Sequence, residues 1–378
     1  LRAVIYLDHN ATTPLLPEAR EAMSAVLAET YGNPSSLHAA GRAARDVVEK
    51  ARKSVAALVG ALPEEIVFTS GGTEADQLAV RGAARAARAK GRGAHVVTSA
   101  IEHPAVVGAC EALREDGFEI TVVPVGADGI VERDAFARAL RKDTVLATVQ
   151  LANHEIGTVQ PIAELAALGV PLHTDAVQAA GKIRIDTGAL GASWLSLSAH
   201  KIGGPKGVGA LVIRRGAEVE PLVRGGHQER ERRGGTENVA GIAGFGAAAA
   251  VAHLALAEHA ARMAALRDRF ERGALALGAR RHGAMTPRVP NTSNVAWEGV
   301  SGELLTINLD LEGVAVSTGA ACTSGSLAPS PVLLALGLVK ARAQEGIRVS
   351  LGPENTEAEI DRVLALLPGC LARIRAAG

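Results

Sequence analysis

Trp194-Leu195-Ser196-Leu197-Ser198-Ala199-His200-Lys201-Ile202-Gly203-Gly204-Pro205-Lys206-Gly207 joins an apolar run of strand length to a glycine-rich turn, with Lys201 at the junction. A lysine amine is a nucleophile only when deprotonated. Partial burial and neighbouring cationic groups bring its pKa down toward neutrality. The apolar run before Lys201, with His200 and Lys206 beside it, offers both conditions. Lys206 lies inside the turn and is expected to be the more exposed of the two lysines.

Outward from this segment, between about residues 17 and 260, short β-branched runs alternate with Ala/Arg-rich stretches of helix length. The runs are Ile66–Thr69, Val96–Ser99, Ile120–Pro124, Val145–Leu151, Val170–His173, Trp194–Ser198 and Val208–Ile213. Amphipathic segments at 74–90, 104–116 and 161–169 lie between them. This alternation predicts an α/β fold, a mostly parallel sheet between two layers of helices. The short glycine turn before the last run suits an antiparallel return. Beyond residue 260 a long helix (about 250–279) leads into a mixed region that ends in a helix at 356–375. The expected division is a large domain over 13–260 and a smaller α+β domain made by 1–12 and 261–378.

In open parallel sheets ligands bind at the carboxyl ends of the strands. Five strand ends carry polar or ionisable groups: Ser70-Gly71-Gly72-Thr73-Glu74, Glu102-His103, Asn153-His154-Glu155, Asp175-Ala176-Val177-Gln178 and Ser198-Ala199-His200-Lys201. Their convergence on one edge says more than any one of them. Lys201 is placed to hold the aldehyde of pyridoxal 5'-phosphate (PLP) as a Schiff base. A helix start at Gly72 and Thr73 suits a phosphate, although on its own the motif is better explained by Thr73 as a plain helix cap. Asp175 facing a pyridine nitrogen keeps that ring protonated and electron-withdrawing. His103, before Pro104 and a helix, suits stacking and proton transfer. Arg348, in the alternating strand Ile347-Arg348-Val349-Ser350, suits bidentate capture of a carboxylate; a surface arginine is the plainer alternative.

Composition narrows the class. Formal net charge is zero, so neither a nucleic-acid partner nor a membrane surface is expected. Hydrophobic residues make up 48% and charged residues 21%, as in a globular enzyme. Only eight of the 40 basic residues are lysine, so few compete with Lys201. The segment Leu1–Asp8 does not read as a signal peptide. The three cysteines, Cys110, Cys322 and Cys370, are odd in number and widely spaced, which points to a reducing cytoplasm and no disulfide framework. Cys110 and Cys370 fall in helical apolar patterns. Cys322 sits among small residues and glycines (Ser317-Thr318-Gly319-Ala320-Ala321-Cys322-Thr323-Ser324-Gly325-Ser326), where a thiol is accessible.

Taken in order along the chain, these pieces resemble the PLP-dependent cysteine desulfurases of the NifS/IscS type, within the class V aminotransferase superfamily. The resemblance also covers Tyr6-Leu7-Asp8-His9-Asn10-Ala11-Thr12-Thr13-Pro14, Gly32–His38 and Arg233-Gly234-Gly235-Thr236-Glu237-Asn238. It implies PLP fold type I and a homodimer. It implies Lys201 as the Schiff-base residue, Cys322 as the sulfur-accepting nucleophile and His103 over the cofactor ring. Asp175 would meet the pyridine nitrogen and Gln178 the ring hydroxyl. Gly72, Thr73, Ser198 and His200 would hold the phosphate, joined by Thr236 from the partner subunit. Arg348 would hold the carboxylate of L-cysteine. The products implied are L-alanine and a persulfide on Cys322, passed to a sulfur-acceptor protein for Fe–S assembly or for thiolation of tRNA or cofactors. No resident metal is implied; Cys322 is the one candidate ligand for a transient Fe–S cluster. The family usually has Asn-Asn-Glu where this chain has Asn153-His154-Glu155, so His154 brings a titratable ring to the cofactor's side. A class V transaminase and a selenocysteine lyase remain the enzymatic alternatives, since both use Lys201 and Asp175. A non-enzymatic scaffold is the third.

Overall fold

The computed structural model describes residues 4–318 and 328–377. Seven strands form the large sheet: β2 (Ile66–Thr69), β3 (His95–Ser99), β4 (Glu119–Val123), β5 (Thr144–Thr148), β6 (Leu172–Asp175), β7 (Trp194–Ser198) and β8 (Gly209–Ile213). Their order is β2-β8-β7-β6-β5-β3-β4. Only β8 runs against its neighbours, β2 and β7, as its short turn implied. The other strands run parallel, which brings their carboxyl ends to one edge. Strands covered on both faces read as apolar runs without alternation. In β2, Ile66 and Phe68 enter one core with Val55 and Phe245, while Val67 enters another with Leu78, Val106 and Leu113.

A smaller antiparallel sheet has the order β12 (Ser317–Thr318), β13 (Gly346–Ser350), β10 (Thr292–Ala296) and β9 (Arg280–His282). Near it, β1 (Ile5–Tyr6) pairs in parallel with β11 (Val314–Ala315), and Asp8 bridges to Ser350. The N-terminal segment therefore travels along this sheet before crossing to the large one. A separate core, with Leu7, Phe270, Trp297, Ile347 and Leu367, supports this region.

Two details depart from the periodicity. The helix expected near 250–279 is two helices, Val239–Leu254 and Leu256–Ala276, bent by 74° where Ala255 leaves helical geometry. Strand β6 starts two residues late, at Leu172, and takes in Asp175. Among the described residues no single helix is long and apolar enough to cross a membrane.

Candidate active site

The ends of the parallel strands open into a cleft of about 230 Å³. Gly72, Thr73, His103, His154, Asp175, Gln178, Ser198, His200 and Lys201 all line it. Residues from four separate strand ends and the first helical turn thus meet, as the sequence predicted.

Lys201 follows β7 on a single 3₁₀ turn, Ala199–Lys201. Its Nζ donates to the carbonyl oxygens of Asn10 and Ala11, the latter at 2.8 Å. The segment 10–13 is clamped over this turn: Thr13 N and Oγ1 both donate to His200 O, at 3.0 and 2.7 Å. Lys206 is exposed. His200 Nδ1 lies 3.1 Å from Thr12 Oγ1. Burial, then the charge of Lys201, pushes His200 down to about 4, so at neutral pH it adds no positive charge beside Lys201.

Asp175 is buried, and its Oδ1 accepts from Val177 N at 2.9 Å. Burial raises its pKa; a cationic ring N–H is the kind of partner that reverses such a shift. His103 caps the helix Pro104–Glu115, its Nδ1 accepting from Ala105 N at 3.1 Å, so the mobile proton belongs on Nε2. Burial lowers the pKa of His103. Its ring meets His154 edge to face, centroids 5.3 Å apart. His154 Nδ1 is buried without a hydrogen-bond partner among the described residues. Burial, then His103, holds this second imidazole well below its ordinary pKa, hence neutral.

A second, more open pocket adjoins this cleft and shares Gly72, Thr73, Ser198 and His200 with it. A Cβ on Gly72 would stand 2.9 Å from Val177 Cγ2 and 3.4 Å from Ser198 Cβ, which explains the missing side chain. Thr236 is exposed and is not among the residues lining either part of the cleft in this chain. Its loop is tied back by Arg233, which pairs with Glu74 at 2.9 Å.

Arg348 is 4% exposed, so it is not a surface arginine. From β13 it donates to Asp8 Oδ1 at 2.7 Å and to His154 O at 3.1 Å, while its Nε has no partner among the described residues. Cys322 lies outside the described residues. Cys110 and Cys370 are buried free thiols; burial pushes Cys110 up to about 12.

Two residues were not picked out for a role in the sequence. Lys182 is 5% exposed and donates to Gln178 Oε1 at 2.8 Å and Asn10 Oδ1 at 3.2 Å. Burial holds its pKa well below that of a free lysine. Asn10 gathers bonds from Gln178, Lys182, Lys201 and Asn291, and donates to His154 O and Thr292 Oγ1. Gly181-Lys182 after an Asp-x-x-Gln strand end was the only available hint.

A mostly parallel sheet with an amine, a buried acid and a glycine-lined helix start at one edge is the fold type I architecture of PLP enzymes. Gly72, the buried acceptor Asp175 and the partnerless His154 nitrogen fit that cofactor. The chain belongs to the aminotransferase class-V family, whose model matches residues 5–363, and within it groups with the cysteine desulfurases. It is 45% identical over 381 residues to cysteine desulfurase IscS of Dictyoglomus turgidum, covering 99% of this chain and 96% of that one. It is also 45% identical to the IscS-like cysteine desulfurase of Mycobacterium tuberculosis, covering 98% and 97%. Among solved structures it superposes on a NifS-like protein with a TM-score of 0.91 at 36% identity, over 98% of this chain and 99% of that one. A structure described as SspA in complex with cysteine matches with a TM-score of 0.81 at 33% identity, over 93% and 100%. The family is PLP-dependent.

Proposed function

We propose that this chain is a PLP-dependent cysteine desulfurase that converts L-cysteine and the Cys322 thiol into L-alanine and a Cys322 persulfide. The observation that carries the reading is the meeting of Lys201, Asp175 and His103 in one cleft, with Arg348 bonded from the other sheet to the carbonyl oxygen of His154, a residue of that cleft. When bound, PLP supplies an electron sink for charge that develops at the substrate Cα. Lys201 anchors it, and Lys201's amine, once released, takes the Cα proton. Asp175 would keep the ring nitrogen protonated, Gln178 would hold the ring hydroxyl, and Gly72, Thr73, Ser198 and His200 would hold the phosphate. His154 would stand beside the group. Arg348 fixes the substrate carboxylate, which sets the Cα–H bond toward the amine. The Cys322 thiolate attacks the substrate sulfur. The C–S bond breaks as the S–S bond forms, and His103 returns a proton to the alanine carbon.

The domain division at 13–260 against 1–12 with 261–378 is part of this reading, with Cys322 and Arg348 on the smaller unit. So is a homodimer in which Thr236 serves the partner's phosphate site. Its exposed place on a tethered loop supports that. The persulfide is passed to an acceptor protein, for Fe–S assembly or thiolation, in a reducing cytoplasm. The test is incubation with L-cysteine, with alanine assayed and the Cys322 peptide weighed. Equimolar alanine and a gain of one sulfur atom on that peptide are expected. Alanine without sulfur on Cys322 overturns the nucleophile.

A further inference from the structure

Asp76 lies on the first helical turn, Gly72–Gln77, and lines the same cleft, yet no step above uses it. It is 1% exposed. An oxygen of Asp76, an oxygen of Asp175 and a nitrogen of His103 all lie within 4.8 Å of one another. Among the described residues Asp76 Oδ1 has no hydrogen-bond partner. The base facing it is His173, whose Nε2 is 3.6 Å away. That ring is already engaged by Thr148 Oγ1 at 2.8 Å and Ser196 Oγ at 2.9 Å. Burial pushes it down to about 3, so it is neutral and offers Asp76 no charge. The charged groups that act on Asp76 are themselves acids, Asp175 and Glu102.

Two buried carboxylates this close do not both ionise, because each charge is desolvated and each repels the other. A buried charge without a cation is far more costly than a buried neutral acid. We propose that Asp76 carries the single proton of an Asp76–Asp175 pair, and so leaves Asp175 as the charged member that faces the cofactor ring. Asp76 is then a positioning residue: it acts through Asp175. Burial and the neighbouring Asp175 both raise its pKa, in keeping with this. As a neutral acid it has an O–H to give to Asp175 or Ser196.

This inference rests on Asp175 serving the ring nitrogen, but the proton on Asp76 is read without cofactor, so the two fail separately. Infrared difference spectra of the cofactor-free protein, in H2O against D2O, report protonated carboxyl groups. A band assigned to Asp76 is expected near neutral pH and is lost in Asp76→Asn; identical spectra for the two proteins overturn the proposal. Burial also raises Glu102, to about 8, and Glu155, so two further acids contribute. Glu102→Gln with Glu155→Gln removes both, and the remaining band in that double variant tests Asp76 even if Asp76→Asn does not fold. No remaining band overturns the proposal. In PLP titrations Asp76→Asn, neutral and of the same shape, is expected to hold affinity within about twofold, while Asp76→Ala weakens it about tenfold. Equal weakening in both overturns the positioning role.

Discussion

Arg348 Nη2 donates to Asp8 Oδ1 at 2.7 Å, so the guanidinium proposed for substrate is held by a carboxylate from the N-terminal segment. With Nη1 on His154 O, the fork is fixed in direction before substrate arrives. Its unpartnered Nε leaves a donor in reserve. Arg348→Ala is expected to raise KM for L-cysteine by about tenfold to a hundredfold, the worth of one or two charge-assisted bonds. Arg348→Lys does not restore it, because an ammonium lacks the fork. Steady-state kinetics with varied cysteine check this; an unchanged KM removes Arg348 from the substrate site.

Lys182→Met keeps the length of the side chain and deletes its bonds to Gln178 and Asn10. Gln178 then loses the donor that orients its amide. PLP is expected to bind about tenfold more weakly, as two hydrogen bonds of ordinary strength are lost, with the fold intact. Equilibrium titration with PLP and circular dichroism measure the two effects.

Glu102 is buried beside Ser99 and Gln150, and burial pushes its pKa up to about 8. The folded chain keeps this proton up to about pH 8, whereas the unfolded chain releases it above its ordinary value of 4.5. Unfolding therefore releases a proton inside that window. Its contribution is fully present below the lower value and is lost as pH rises through the upper one. Glu102→Gln lacks this dependence. Relative to the unsubstituted protein, its stability is expected to climb with pH across the window, by at most about 1.4 kcal/mol per pH unit. Denaturant midpoints between pH 5 and 8 follow it.

Gly209 begins β8 where that strand passes the phosphate loop. A Cβ there would stand 2.5 Å from Gly71 C and 2.7 Å from Leu197 O, all backbone that cannot swing away. Gly209→Ala is expected to cost about 1–3 kcal/mol, as overpacking does, and to lower PLP occupancy with it. Thermal unfolding and cofactor content report both.

Much of this was legible before any coordinates. Strand β7 coincides with the run Trp194–Ser198, because a short apolar segment stopped by glycines has few other ways to lie. The five polar strand ends were visible because a parallel sheet sends its functional groups to one edge. Strand β6 was misjudged: Val170 and Pro171 read as strand, while Asp175 read as loop because a charged residue seldom ends a buried strand. The site supplies the reason for that exception. The break at Ala255 left no mark, since alanine favours helix on both sides. Lys182 and Asn10 are 172 residues apart in sequence, and no local pattern announces such a pair. His200, pushed down to about 4, is neutral beside Lys201, and Lys206 is exposed, as its place inside the glycine turn implies.

Lys201 is the residue to which the cofactor would be joined, and borohydride reduction of the PLP-loaded protein followed by peptide mass spectrometry measures this most directly. A pyridoxyl group on the peptide containing Lys201, and on no other, is the predicted result. The same mass on Lys182 or Lys206, or no stable adduct at all, contradicts it.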